Sequence, residues 1–395
     1  MNPKRKRVTL LAGVAALVGT AILCTLAGPR PGPALEIAKV FCTVPAWRGR
    51  ILFPTEHYVW LSNSQALILP DTNAWPPDPH TYIAVSHRDS RGGLLERSGI
   101  DIPANESCAT VSADGKSIAT VEEVGGEPNT GPRPANSGID LVIHRFGGGP
   151  ARRVLLSRGI GAGGGGDWSN PLWSKDGTTL YAMRTSNPRM LRAVRLSDSA
   201  PTDLSLPQGL FGAPTVRSGA DMAPQLLGVT SRNTLLIGTG YVQNGVATFG
   251  SGQTSPSYNF PRASIVELSL GSRPAILRRY APRAPEGVGI GCFVVSPVGD
   301  RIFWGAMCER KPSSIELRLH RYLHFLRGEA TVSERGWVSN LDGSGLREIG
   351  YYDFPHAPSS PSFTKDPWVI DAKWTPDGKR ISFIYNDRIL TAPVD

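Results

Sequence analysis

Five carboxylates stand at a recurring place along the chain. Glu56, Glu106, Asp167, Asp221 and Asp371 precede a repeated Ser or Thr by 6, 6, 7, 10 and 4 residues. Carboxylates that converge from successive repeats can hold a hard cation such as Ca²⁺. Glu56, Glu106 and Asp167 have the closest offsets, with His57 beside the first, and are the candidate metal ligands. The pattern also has a structural explanation, because an Asp ahead of a strand can cap the turn that leads into it.

Other patterns point to chemistry less firmly. Gly159 to Gly164 reads GIGAGG, which fits G-x-G-x-x-G. A dinucleotide site needs a strand before that motif and a helix after it. Here DWSNPLWSKDG follows, which reads as a strand, so a loop is the better reading. His320 and His324 are four apart, a metal-ligand spacing on a helix. Their surroundings alternate Ile315, Leu317, Leu319, which is strand periodicity, and residues 310–335 read as a hairpin insertion. No G-x-S-x-G elbow occurs, so a serine hydrolase lacks its nucleophile.

The N-terminus carries a membrane signal. Residues 8–27, VTLLAGVAALVGTAILCTLA, hold no charge and follow Lys4-Arg5-Lys6-Arg7. About twenty apolar residues span a hydrocarbon core as a helix. The basic cluster stays cytoplasmic, so the rest of the chain is extracytoplasmic, in a periplasm or at a cell surface. Apolar signal-peptide cores are usually shorter, which favours an uncleaved anchor; cleavage after Ala27 would give a secreted protein. Residues 28–37 open with GPRPGP, a stiff Pro/Gly linker. Export lets Cys42, Cys108, Cys292 and Cys308 form up to two disulfides, or remain buried thiols.

The net charge of +9 comes from 42 Lys+Arg against 33 Asp+Glu, and residues 1–7 supply four of it. With no basic run elsewhere, a nucleic-acid partner is not expected. The 44 Gly and 34 Pro imply many turns and therefore many short strands.

Those strands repeat. SADGKSIATV begins at Ser112, SKDGTTLYAM at Ser174, SPVGDRIFWGAM at Ser296 and TPDGKRISFIY at Thr375. Degenerate copies begin at Ser62 and Ser231, so the anchors are 50, 62, 57, 65 and 79 residues apart. The Asp can bond the turn backbone and the Gly can take the positive φ of a tight hairpin. Each copy except the last is followed by a second hairpin, as in Asp140 to Leu156 and Gly336 to Gly350. Four strands per unit and six units predict a β-propeller. The sixth unit ends one strand short, and Ala38 to Val44 or Gly49 to Phe53 can supply the missing strand.

On these residues the chain resembles the TolB-like, WD-repeat-like β-propeller family. Trp173 to Met183 and Trp374 to Phe383 match its W-S-P-D-G-K-x-I-A-F half-repeat, and Trp337 to Ile349 matches its second hairpin. The resemblance covers residues 38–395 and implies six blades, without the α/β domain that precedes the TolB propeller.

The expectation is therefore an all-β, six-bladed propeller of four-stranded antiparallel blades over 38–395, preceded by one transmembrane helix at 8–27. Its expected work is binding a protein or glycan partner. The loops at 122–138 and 241–262 leave the same side, and Tyr241, Phe249, Tyr258 and Phe260 are the candidate partner contacts. The alternative is a lactonase-like hydrolase using a metal held by the carboxylates above.

Overall fold

A computed structural model of the 395-residue chain describes residues 39–43, 58–69, 80–85, 95–102, 109–124, 138–158, 168–184, 190–210, 225–239, 264–271, 273–282, 289–310, 331–354, 372–385 and 388–395. These hold 24 strands in six four-stranded antiparallel sheets. Strand β1 (Lys39–Thr43) comes first and is set apart from its neighbours in sequence. Blade one is β2 (Tyr58–Ser62), β3 (Gln65–Ile68), β4 (His80–Val85) and β5 (Leu95–Asp101). Blade two is β6 (Ala109–Val111), β7 (Ser117–Val124), β8 (Gly138–Arg145) and β9 (Arg152–Arg158). Blade three is β10 (Leu172–Trp173), β11 (Thr179–Arg184), β12 (Met190–Arg195) and β13 (Thr202–Leu204). Blade four is β14 (Gln225–Val229), β15 (Leu235–Thr239), β16 (Ser264–Leu268) and β17 (Ile276–Tyr280). Blade five is β18 (Gly289–Val295), β19 (Arg301–Arg310), β20 (Thr331–Asn340) and β21 (Arg347–Phe354). Blade six has β22 (Lys373–Trp374), β23 (Arg380–Tyr385) and β24 (Arg388–Pro393), with β1 as its outer strand.

The strands are apolar on both faces because each sheet is sandwiched between two others. In β15, Leu235 and Ile237 pack toward blade three, while Leu236 packs toward blade five. Six separate apolar clusters fill the six seams between neighbouring blades, so the ring is closed.

The repeated turn has a specific bonding scheme. Ser112 Oγ donates to Asp114 Oδ1 at 2.6 Å, and the same carboxylate oxygen accepts from Lys116 N at 3.0 Å. Ser112 Oγ in turn accepts from Ser117 N at 3.0 Å. Gly115 sits at φ 70°. The scheme recurs at Ser174/Asp176/Gly177 and Thr375/Asp377/Gly378. Hydroxyl and backbone donors hold the Asp114 and Asp176 carboxyls below their usual pKa. Blade four departs from the expected register. Its turn is anchored by Thr230 rather than Ser231, and Asn233 takes the positive φ at 58°. Asn tolerates that conformation better than other non-Gly residues.

In blades three and six a tryptophan directly ahead of the turn ties the blade to the one before. Trp173 Nε1 donates to Thr110 O at 3.3 Å and Trp374 Nε1 to Val294 O at 2.9 Å. In blade one, Trp60 Nε1 donates across the seam to Ser382 Oγ of blade six at 2.9 Å.

That seam joins the two ends of the chain. Lys39 pairs with Thr391 and Thr43 with Arg388, so the first described strand completes the last blade. Phe41 is buried edge-on to Trp60, with ring centroids 4.7 Å apart. Ser382 is fully buried and carries three bonds. Its hydroxyl donates to Lys373 O at 3.0 Å, so Tyr58 Oη, 2.7 Å away, donates to it alongside Trp60.

Two proposed features lie differently or elsewhere. Part of the 310–335 insertion is blade proper, because β19 and β20 pair as far as Arg310 and Thr331. Residues 8–27 lie outside the described residues, among which no helix is long and apolar enough to cross a membrane.

Ser382→Ala should lower unfolding free energy by about 2–6 kcal/mol, since it removes the shared acceptor of two buried donors, at about 1–3 kcal/mol each. Deletion of residues 35–53 should lower the melting temperature far more than shortening a surface loop. Both are read by thermal and denaturant melts of the full chain. A third comparison isolates the turn: a Cβ on Gly299 would lie 2.8 Å from Thr230 Cα, whereas one on Gly177 meets nothing within 4 Å, at φ values of 70° and 67°. Gly177→Ala should cost about 1–2 kcal/mol from φ alone, and Gly299→Ala distinctly more.

Candidate functional site

Antiparallel order gives the ring two chemically different faces. The inner strands β2, β6, β10, β14, β18 and β22 all run the same way, and each ends at a tight turn into its second strand. The turns from third to fourth strand lie on that same face, here called the turn face. The connections from second to third strand, and from one blade to the next, all leave on the opposite face. That connection face receives the longest segments, 205–224, 240–263, 311–330 and 355–371.

The sequence candidates belong to segments that join the connection face. Glu56, Glu106 and Asp167 precede β2, β6 and β10, and Tyr241, Phe249, Tyr258 and Phe260 connect β15 to β16. All seven lie outside the described residues, as do Asp221, Asp371, His320, His324 and the 159–164 glycines. Among the described residues no cluster of three or more His, Cys, Asp or Glu could hold a metal.

The described part of the axis adds a residue that motif reading missed. Among the described residues of the six inner strands, Lys373 is the one charged side chain. Its Nζ donates to Tyr58 O at 2.5 Å and lies 4.7 Å from the centre of the Tyr58 ring. The ring's negative face stabilises the ammonium, and the carbonyl fixes its position. Lys373 therefore contributes a positive charge beside the start of β2, two residues after Glu56. The signal was present in the sequence as a Lys directly before the Trp of the repeat, but only the sheet shows that it faces blade one.

At the other end of the axis, Lys175 Nζ donates to Pro297 O at 2.5 Å. Blade three thus reaches blade five past the intervening turn of blade four, across the turn-face opening. Burial pushes the Lys175 ammonium below its usual pKa.

Two buried carboxylates have partners from several strands. Glu267 on β16 accepts from Arg232 and Thr234 at 2.7 Å each and from Tyr280 Oη at 2.7 Å. Burial raises its pKa, but Thr234, Tyr280, Arg232 and Arg278 outweigh that effect and leave the carboxyl below its usual value. Glu122 on β7 accepts from Thr120 Oγ1 at 3.0 Å and Arg153 at 2.8 Å. There too burial raises the pKa and is outweighed, by His144, Arg153 and Thr120. His144 Nε2 stands 3.5 Å from Glu122 Oε1, long for a hydrogen bond, and is buried without a hydrogen-bond partner. Both carboxylates are enclosed by their own blade, which fits a structural role better than substrate contact.

No protein-family model and no curated protein matches the chain. Among solved structures it is similar to the TolB structure from Agrobacterium tumefaciens, at 12% identity and TM-score 0.41 over 87% of this chain and 91% of that one. It is similar to the C-terminal WD40 domain of Sif2, at 14% and 0.39 over 91% and 99%. The WD40 domain of SCAP from fission yeast gives 8% and 0.37 over 92% and 97%. This is a likeness of fold, and the fold itself rests on the six sheets described above.

The Glu267 network predicts a pH dependence. Its folded pKa lies below the unfolded one, so its contribution is complete above the unfolded carboxyl value, about 4.3. It is lost as pH falls through the folded value. Glu267→Gln should therefore flatten the acid limb of the stability–pH curve measured by urea unfolding. Tyr280→Phe, which removes one donor, should cost about 1 kcal/mol at neutral pH.

Proposed function

We propose that the protein is a membrane-anchored, extracytoplasmic β-propeller that binds a protein or glycan partner through its connection face. The observation that supports this reading most is the opposition of the two faces. The longest connections leave on one face, whereas β1, the strand that follows the apolar N-terminal segment, begins on the other. Lys39 pairs with Thr391 near the end of β24, which is the turn-face end. A chain held in a bilayer by residues 8–27 would thus offer its longest loops away from the attachment. Loops longer than about 12–15 residues within a compact domain are usually functional or disordered. In this reading Tyr241, Phe249, Tyr258 and Phe260 supply aromatic contact area, the residue class enriched at binding hot spots.

Glu56, Glu106 and Asp167 are proposed as a Ca²⁺-holding set at the start of three inner strands. The cation would brace the connection face.

Cross-linking and pull-down from membranes that carry the full chain test the main reading. The wild type should retain a specific partner, and a variant with Tyr241, Phe249, Tyr258 and Phe260 changed to Ser should lose it while melting at the same temperature. Identical partners from both proteins would remove the connection face from the proposal. Calorimetry of the full chain with Ca²⁺ tests the metal set. Heat and a raised melting temperature in the wild type, both absent in Glu106→Gln/Asp167→Asn, are the expected result.

A further inference from the structure

The turn face differs from the rest of the ring in charge. Twelve Lys and Arg side chains stand on its described turns and strand ends against seven Asp, whereas the remaining described residues carry eleven basic and eleven acidic side chains. Several of the twelve are committed to the fold. Arg232 bonds Glu267, Arg301 bonds Asp395 and Gly378 O, and Arg380 bonds Thr391. Lys39, Lys116, Arg145, Arg195, Arg273, Arg347 and Lys379 are exposed and come from blades two to six. They spread across the face rather than along one edge.

The chain leading to β1 enters this same face. Eleven residues, 28–38, separate the apolar segment from Lys39, and six of them are GPRPGP. In polyproline form eleven residues reach about 34 Å, at about 3.1 Å each. Blade six, with six residues in each of β23 and β24, is itself about 20 Å tall, at about 3.3 Å per residue. A linker that had to climb the outside of blade six to bring the connection face to the bilayer would use most of its length. A linker that meets the turn face directly uses little of it.

We infer that the turn face docks on the surface of an anionic bilayer, with the connection face turned away from it. The inference rests on the anchored reading above and adds a direct contact between the turn face and the bilayer, with its lipid chemistry. Coulomb attraction to anionic headgroups supplies the attraction, so docking weakens as salt shortens the screening length from about 10 Å at 0.1 M to about 3 Å at 1 M. Each exposed Lys or Arg near such a surface contributes about a fivefold factor in the docking equilibrium. The turns are suited to this contact because their backbone groups are already bonded internally. Ser112 N, Gly115 N and Lys116 N each have an acceptor within the turn, so approach to the headgroups leaves no new donor unsatisfied there.

The test uses the full chain in nanodiscs of phosphatidylcholine alone or of phosphatidylcholine with phosphatidylglycerol. Hydrogen exchange of the 112–117 and 375–380 turns should slow severalfold on the anionic discs at about 0.1 M salt, and return to the neutral-disc rate at about 1 M. The connection-face strand ends at 239 and 264 should not change. Lys116→Gln and Lys379→Gln should each weaken the protection about fivefold, whereas Arg158→Gln, at the other end of β9, should leave it unaltered. Equal turn exchange on both lipids would overturn the docking. Alkaline carbonate extraction from neutral vesicles reads the anchor separately. If the chain washes off, the anchored reading fails, and co-sedimentation with phosphatidylglycerol vesicles against phosphatidylcholine vesicles decides the docking by itself. Salt-sensitive sedimentation with the former alone supports it, and no difference removes it.

Discussion

The ring depends on one seam. Five of the six blades are formed from consecutive strands, and a chain can build each of them locally. Blade six cannot be completed that way, and its outer strand comes from more than 340 residues earlier in the sequence. Until β1 lies beside β24, two apolar blade faces and one strand edge are open to water. The seam therefore concentrates buried contacts that carry no repeat signature. Phe41 stacks edge-on to Trp60, and Ser382 collects the N–H of Trp60 and the hydroxyl of Tyr58 while donating to Lys373 O. A buried hydroxyl with three partners is costly to disturb, because each loss leaves a donor or acceptor dry. The loop-closure entropy of joining distant ends grows only slowly with length, so one well-packed strand can offset it.

Elsewhere the repeat divides its labour. In blades three and six the Ser or Thr and Asp of the turn satisfy the local backbone, the Gly supplies its positive φ, and the Trp ahead of them reaches back to the preceding blade. The turn is both a hairpin and a coupling between blades. Blade four keeps the same turn bonding with Asn233 in place of Gly and Thr230 as the anchor. The same internal bonding frees the exposed side chains of the turn face for other contacts. The connection face is the opposite case, since its segments contribute little to the repeat and their sequences vary in length and composition.

The number of blades, their four-strand make-up and the missing strand were legible because period-2 apolar runs and Asp-Gly turns have a direct local cause. The sequence places this anchor at Ser231, one residue late, because Thr230-Ser231 offers two hydroxyls, and the bonds from Asn233 N to Thr230 O and from Thr234 N to Thr230 Oγ1 distinguish them. The insertion expected at 310–335 is narrower for a similar reason. Strand periodicity continues past Gly336 in both directions, and pairing with 306–310 decides where the blade ends. Lys373 could be seen in the sequence, but nothing local separates a lysine that faces the neighbouring blade from one in solvent.

By itself the sequence determined the repeat, the all-β class, the apolar N-terminal segment and the need for a strand from the N-terminal side. These follow from composition and from contacts between residues close in the chain. The tertiary structure decided which N-terminal stretch pairs with β24, that Ser382 joins blade six to blade one, and that the N-terminal strand and the long connections meet opposite faces. Those outcomes depend on which sheets become neighbours when the ring closes. Sheet neighbourhood is a property of long-range packing, and no local spacing in the chain encodes it.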